Sequence, residues 1–213
     1  MTAARFRIAV AKGRLLREAL PLLGRAGLAP DGDPLRERRL VMPCADDGGA
    51  EIVIIRAADV PTFVEHGAAD FGIAGKDMLM EHAGRGYYEL CDLGIARCRM
   101  VVAGPARRRA PPRRPRVATK YVATARRHFA QGGRQADIVK LYGSMELAPI
   151  LGLSDLIVDL VDTGETLRTN GLAEIEEIAA ISARLIANRA SMRIKGSAMR
   201  AVAERFGAAA RPE

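Results

Sequence analysis

Glu51-Ile52-Val53-Ile54-Ile55-Arg56 decides the fold class. Four consecutive branched apolar residues leave no polar face for water, so the strand they form belongs to a sheet covered on both sides. Working outward, strand-type runs alternate with helical patterns. Phe6–Ala11 reads as a strand, and Leu15, Leu16, Ala19, Leu20 and Leu23 then share one helical face, with Pro21 as a local complication. Leu40–Met42 is a further strand. Asp59-Val60-Pro61 with Gly67 has the acidic start, early proline and terminal glycine of a short helix. Strands at Phe71–Ala74, Tyr88–Leu93 and Arg97–Gly104 follow, so the first half opens in the order β-α-β-β-α-β. The pattern then restarts: strand Arg116–Thr119, helix Tyr121–Gln131, strand Asp137–Tyr142, a short helix Ser144–Leu151 and strand Leu156–Val161. Glu174–Asn188 satisfies helix and strand templates equally. Met192, Met199, Val202 and Phe206 fall on one side of a final helix as core packing. The expected class is α/β in two lobes, with a ligand cleft between them.

The chain has 213 residues, 49% hydrophobic and 27% charged, a globular composition that excludes whole-chain disorder. No apolar run reaches the ~18 residues of a membrane-spanning helix, and Met1–Val10 has no signal-type apolar region. A cytoplasmic protein with no membrane partner is expected. Cys44, Cys91 and Cys98 with His66, His82 and His128 make no zinc-type spacing, so the cysteines read as neutral fillers and the histidines as structural. The net charge of +8 raises nucleic acid as a partner. However, Arg107, Arg108, Arg109, Arg113, Arg114 and Arg116 supply six of those charges in one Pro-interrupted window, and the rest of the chain is only +2. Such a segment reads as a solvated loop, and 4% aromatic residues offer few platforms for stacked bases; no nucleic acid is expected.

Leu156-Ile157-Val158-Asp159-Leu160-Val161-Asp162-Thr163-Gly164-Glu165-Thr166-Leu167 is an apolar strand running into acidic, hydroxyl and glycine residues. Glycine lets successive backbone N–H groups turn inward as an anion nest, and flanking threonine hydroxyls can donate to the same phosphate oxygens. Asp159 and Asp162 could hold ribose hydroxyls, directly or through a Mg²⁺ on a diphosphate. An ordinary strand-to-helix turn with Asp and Thr as caps would use the same residues.

Glu146, Gly152, Ser154, Ile157, Asp159, Leu160, Thr163, Gly164, Thr166 and Leu167, with their spacing, resemble the signature of ATP phosphoribosyltransferases, which open histidine biosynthesis. Ile8-Ala9-Val10-Ala11-Lys12-Gly13-Arg14, Val60 to Asp77, Asp92 to Arg99 and Lys140 to Pro149 extend the resemblance along nearly the whole chain. It implies transfer of phosphoribosyl from phosphoribosyl pyrophosphate to N1 of ATP, with Mg²⁺ bound to the leaving diphosphate. It also implies a type II periplasmic-binding-protein-like fold. Lobe one would span residues 1–95 with segment 181–213 returning to it, and lobe two residues 96–180. A periplasmic solute-binding protein would share this fold but carry an export signal.

By the same resemblance Asp162, Thr163, Gly164, Glu165, Thr166 and Leu167 cradle the 5′-phosphate, and Asp159 faces the ribose or the metal. A carboxylate beside a phosphate is unfavourable, so Glu165 should turn its side chain away and offer its backbone N–H. Arg14 and Arg38 match the arginines brought to the departing pyrophosphate, with Arg39 the alternative in Glu37-Arg38-Arg39-Leu40. Lys12, Gly13, Arg14, Arg56, Gly75, Lys76, Asp92, Gly143, Ser144 and Glu146 are the positions expected near ATP. The Gly75-Lys76-Asp77 stretch also fits a tight turn. The length matches the short form of the family, which works with a regulatory subunit resembling a histidyl-tRNA synthetase in a hetero-octamer.

Overall fold

The computed structural model describes residues 6–45, 49–107 and 112–211. The expectations for Met1–Arg5 and for Arg108, Arg109 and Pro111 lie outside them. The chain divides into two compact units, Met1–Ala96 with Ser182–Glu213, and Arg97–Ile181.

The first unit runs β1 (Arg7–Ala11), α1 (Arg14–Arg25), β2 (Val41–Pro43), β3 (Glu51–Ile55), a 3-10 turn at Ala57–Asp59, α2 (Val60–Glu65), β4 (Phe71–Gly75), α3 (Lys76–Glu81) and β5 (Tyr87–Asp92). The second holds β6 (Cys98–Pro105), β7 (Arg116–Thr119), α4 (Val122–Gln131), β8 (Asp137–Lys140), α5 (Leu147–Ile150), β9 (Leu156–Val161), α6 (Glu165–Thr169) and β10 (Leu172–Ile181). The chain then returns to the first unit as β11 (Ala183–Asn188), α7 (Arg189–Ile194) and α8 (Gly196–Ala209).

The first sheet has the order β2-β3-β1-β4-β11-β5, with β3, β1 and β4 parallel and β11 antiparallel to both its neighbours. It is covered on both faces. Ile8, Val10, Ile52, Ile54, Phe71, Ile73 and Leu185 pack with Leu16, Leu22 and Leu23 of α1 and Met199, Val202 and Phe206 of α8. Ala9, Ala11, Ala74 and Ile186 point the other way, onto Val60 and Val64 of α2 and Leu79 of α3. Period-2 alternation produces this division. The second sheet, β10-β6-β9-β7-β8, has antiparallel β10, β6 and β9 and parallel β9, β7 and β8. On one face Val101, Ala103, Ile157 and Val161 pack with Met145, Ala148 and Leu167. Their alternates Val102 and Val158 are equally buried.

Three local expectations are corrected, and the segment with no single pattern takes a definite form. The ambiguous segment Glu174–Asn188 lies on two strands. β10 is an edge strand with bulges at Glu174/Glu176 and Glu177/Ala179, and each extra residue breaks the period-2 pattern; β11 is buried on both faces and so shows no alternation. The final helix is two helices: backbone at Lys195 leaves the helical region, and its ammonium reaches Asp70 at 2.9 Å, so Met192 lies on α7. The short helix begins at Leu147, because Ser144 takes φ 51. In the basic segment, Arg114 and Arg116 are not merely solvated. Arg114 Nε donates to Asp137 at 2.9 Å, and Arg116 Nη2 to the Gly152 carbonyl at 3.0 Å.

Two of the three histidines hold structure. His82 Nε2 lies 2.7 Å from Glu65, and the hydrogen bond from this ring holds the Glu65 carboxyl below the usual carboxylate range. His128 Nε2 is 3.1 Å from Glu176. Burial pushes the Cys91 thiol up, which keeps it neutral.

Candidate active site

Strand β9 alternates so that Ile157, Asp159 and Val161 share the face that carries α5 and α6. Beyond Val161 the chain turns through Asp162 and Thr163 to Gly164, which caps α6 at φ 75, a conformation that a residue with a Cβ adopts only at a cost. Two side chains brace this glycine. A Cβ there would lie 3.0 Å from Arg168 Nη1 and 3.2 Å from Glu174 Oε1. Arg168 Nη1 donates to the Thr163 carbonyl at 2.9 Å, and Arg99 clamps Glu174 through both terminal guanidinium nitrogens, at 2.5 and 2.9 Å.

The turn encloses a cavity of about 220 Å³ lined by Asp159 to Leu167 and by Glu146. Every residue expected to hold phosphoribosyl pyrophosphate therefore lines one cavity of the second unit. Glu165 is exposed, and its backbone N–H points to Thr163 Oγ1 at 3.4 Å. Asp159 Oδ1 accepts the Leu160 N–H at 2.8 Å. Four of the lining side chains are carboxylates, a set that would repel a bare phosphate but suits hydroxyl donors and a phosphate-borne cation. Among the described residues no three His, Cys, Asp or Glu side chains cluster as a metal site, so a metal here would bring other ligands with it. Gly143 and Ser144 are exposed in the turn that precedes α5.

The first unit holds a larger cavity of about 760 Å³, lined by Lys12, Gly13, Leu16, Arg17, Pro34, Leu35, Glu37, Arg38, Arg39, Leu40 and Ile54. Gly13 caps α1 at φ 89, which lets β1 turn directly into the helix. The two adjacent arginines differ. Arg39 Nε meets Glu37 at 2.5 Å and its Nη2 donates to the Asp31 carbonyl at 3.0 Å; these bonds lower the Glu37 carboxyl and raise Arg39. Arg38, Lys12 and Arg17 have no side-chain partner among the described residues. Three unpaired cations in one cavity suit a polyphosphate. Arg17 was not anticipated, although it lies one helical turn beyond Gly13 and so shares its side of α1.

Arg14 stands outside this lining and pairs with Glu18 at 2.6 Å. Arg56 is exposed at the 3-10 turn. Gly75 is the last residue of β4, in register with Ala183, and Lys76 is tied to Glu89 at 2.7 Å. Asp92 accepts from Ser182 Oγ at 2.8 Å, Gly94 N–H at 2.9 Å and Arg184 at 3.1 Å. Gly75, Lys76 and Asp92 thus make their described contacts within the first unit.

The family model described as HisG: ATP phosphoribosyltransferase matches residues 56–208. A protein of Halorhodospira halophila named ATP phosphoribosyltransferase is 55% identical over 204 residues, covering 96% of this chain and 95% of the relative. Among solved structures, the ATP phosphoribosyl transferase (HisG:HisZ) complex from Thermotoga maritima superposes with a TM-score of 0.83 at 34% identity, covering 96% of this chain and 98% of that one. The periplasmic aliphatic sulphonate binding protein of Escherichia coli superposes at 0.63 with 15% identity over 97% of this chain and 72% of its own, a likeness of fold alone. The two α/β units are those of the two-lobed, type II periplasmic-binding-protein-like fold. With a family model across most of its length and a relative of this identity over almost all of it, the chain belongs to the ATP phosphoribosyltransferase family.

Proposed function

We propose that this chain carries out phosphoribosyl transfer with the Asp159–Leu167 loop holding phosphoribosyl pyrophosphate and the cationic cavity of the first unit receiving polyphosphate. The family's reaction, the first step of histidine biosynthesis, joins N1 of the adenine of ATP to the anomeric carbon as that carbon's bond to diphosphate breaks. The bonding electrons leave with the pyrophosphate. The observation that supports the loop assignment most strongly is Gly164, held at φ 75 between Arg168 and Glu174 above a cavity that every loop residue lines. The backbone N–H groups of Gly164 to Leu167 receive the 5′-phosphate, with the Thr163 and Thr166 hydroxyls beside them. Asp159 and Asp162 accept the ribose hydroxyls. Asp159 is the carboxylate that would hold a Mg²⁺ arriving with the diphosphate, and such an ion would supply positive charge to the leaving group.

In the first unit Arg38, with Lys12 and Arg17, meets phosphate oxygens; Arg38 is favoured over Arg39 because Glu37 already engages the latter. Arg14 is the second catalytic arginine. Gly13, Gly143, Ser144, Glu146, Arg56, Gly75, Lys76 and Asp92 are the remaining positions assigned near ATP. No proton has to be removed from N1 of a neutral adenine, so the reading names no general base.

Two further elements belong to the reading. The partner is a regulatory subunit resembling a histidyl-tRNA synthetase, in a hetero-octamer; the similarity to the Thermotoga complex supports it. The location is cytoplasmic; among the described residues no helix is long and apolar enough to cross a membrane. Calorimetric titration of the chain with phosphoribosyl pyrophosphate, with and without Mg²⁺, tests the loop. Saturable Mg²⁺-dependent binding is expected, with phosphoribosyl-ATP found by mass after ATP is added. A folded chain that binds in neither condition would overturn the assignment.

A further inference from the structure

Helix α1 begins against its own electrostatics. Arg14 occupies the first helical position, where a cation meets the positive end of the macrodipole, and the first turn holds no acidic residue. Arginine preceding glutamate at i,i+4 is also the weaker orientation of such a pair. Arg14 Nε nevertheless donates to Glu18 Oε1 at 2.6 Å. The second oxygen of that carboxylate, Oε2, accepts the backbone N–H of Ala96 at 2.6 Å, 78 residues away in the chain. Ala96 is the last residue of the first unit before the chain passes to Arg97, and it holds φ 52, a left-handed conformation uncommon for a residue with a Cβ. One carboxylate thus fixes both a side chain and a strained backbone. With Arg14 half exposed and Glu18 a third exposed, the ion pair adds little stability by itself.

We propose that Glu18 is a positioning residue for phosphoribosyl transfer, aiming the Arg14 guanidinium and anchoring it to the backbone at Ala96. This rests on the reading of Arg14 as catalytic. Glu18 touches no substrate; it acts by removing the rotational freedom of the arginine, and a small misplacement of such a group lowers the rate steeply.

The test is a double-mutant cycle on the full chain with R14A, E18A and R14A/E18A, together with E18Q, which keeps an acceptor for the Ala96 N–H but loses the charge. E18A and E18Q should each lower kcat about ten- to a hundredfold. The calorimetric affinity for phosphoribosyl pyrophosphate should stay within about twofold, since that loop belongs to the other unit. The double variant should be no slower than R14A alone, because Glu18 works through Arg14. Losses that multiply in the double variant, or wild-type kcat in E18A and E18Q beside an impaired R14A, overturn the positioning role alone. Wild-type kcat in R14A overturns the reading of Arg14 and the proposal with it. If E18A fails to fold, E18Q and R14A/E18Q close the same cycle.

Discussion

Replacing Gly164 with alanine isolates the contribution of one backbone conformation to substrate binding. Gly164 holds φ 75, where a Cβ costs about 1–2 kcal/mol. The new methyl would also stand 3.0 Å from Arg168 Nη1, close enough to push the guanidinium off the Thr163 carbonyl it now holds at 2.9 Å. That hydrogen bond is solvent-exposed and adds at most about 1 kcal/mol. About 2 kcal/mol in total is therefore available for the loop to escape its conformation, and a ligand that needs the original turn must restore it. At 1.4 kcal/mol per tenfold, the dissociation constant for phosphoribosyl pyrophosphate should rise about thirtyfold. The melting temperature should fall by about 2–4 °C per kcal/mol lost. Gly133→Ala is the control: φ is 65 there and the space beyond its Cβ is open, so it carries the backbone cost alone, at the end of α4. Calorimetry and thermal unfolding on both variants separate strain from binding. If Gly164→Ala binds with wild-type affinity, or Gly133→Ala weakens binding equally, the loop conformation does not form the phosphate site.

Arg38→Ala should lower kcat about 10²–10³-fold, the effect of losing one preorganised donor to developing charge, whereas Arg39→Ala should stay within about tenfold because Glu37 already neutralises it; equal losses in steady-state assays would refute the distinction between them. Asp159→Asn combined with Thr163→Val should abolish calorimetric binding of phosphoribosyl pyrophosphate and leave the circular dichroism spectrum unchanged; retained binding would contradict the loop assignment. Glu65 has a lowered carboxyl, through its hydrogen bond from His82 and the N–H groups of Gly86 and Arg85. Its stabilisation is present above the unfolded value of about 4.3 and is lost as pH falls through the lower folded value. Glu65→Gln should therefore lower the melting temperature at pH 7 and lose that difference in acid; a deficit that persists unchanged well below pH 4 would show that the charge is not what matters.

What could be read from the sequence follows the range of the interactions involved. Strands β7 and β9 start and stop where their apolar runs do, because each run is buried on both faces and the turn residues around it are local. The phosphate loop is legible for the same reason: strand, glycine and hydroxyls are contiguous, and the cavity they line needs little from elsewhere beyond Glu146. Segment 174–188 is illegible because its two strands enter different sheets, one at an edge interrupted by bulges and the other in the interior, so no single period describes it. The arginines show the limit most clearly. Arg38 and Arg39 are adjacent and chemically identical, and residue type cannot say which is spare. That depends on Gly32 turning at φ 111 so that Glu37 and the Asp31 carbonyl converge on Arg39. Which cation is available to a substrate is set by the partners the fold has already given to its neighbours.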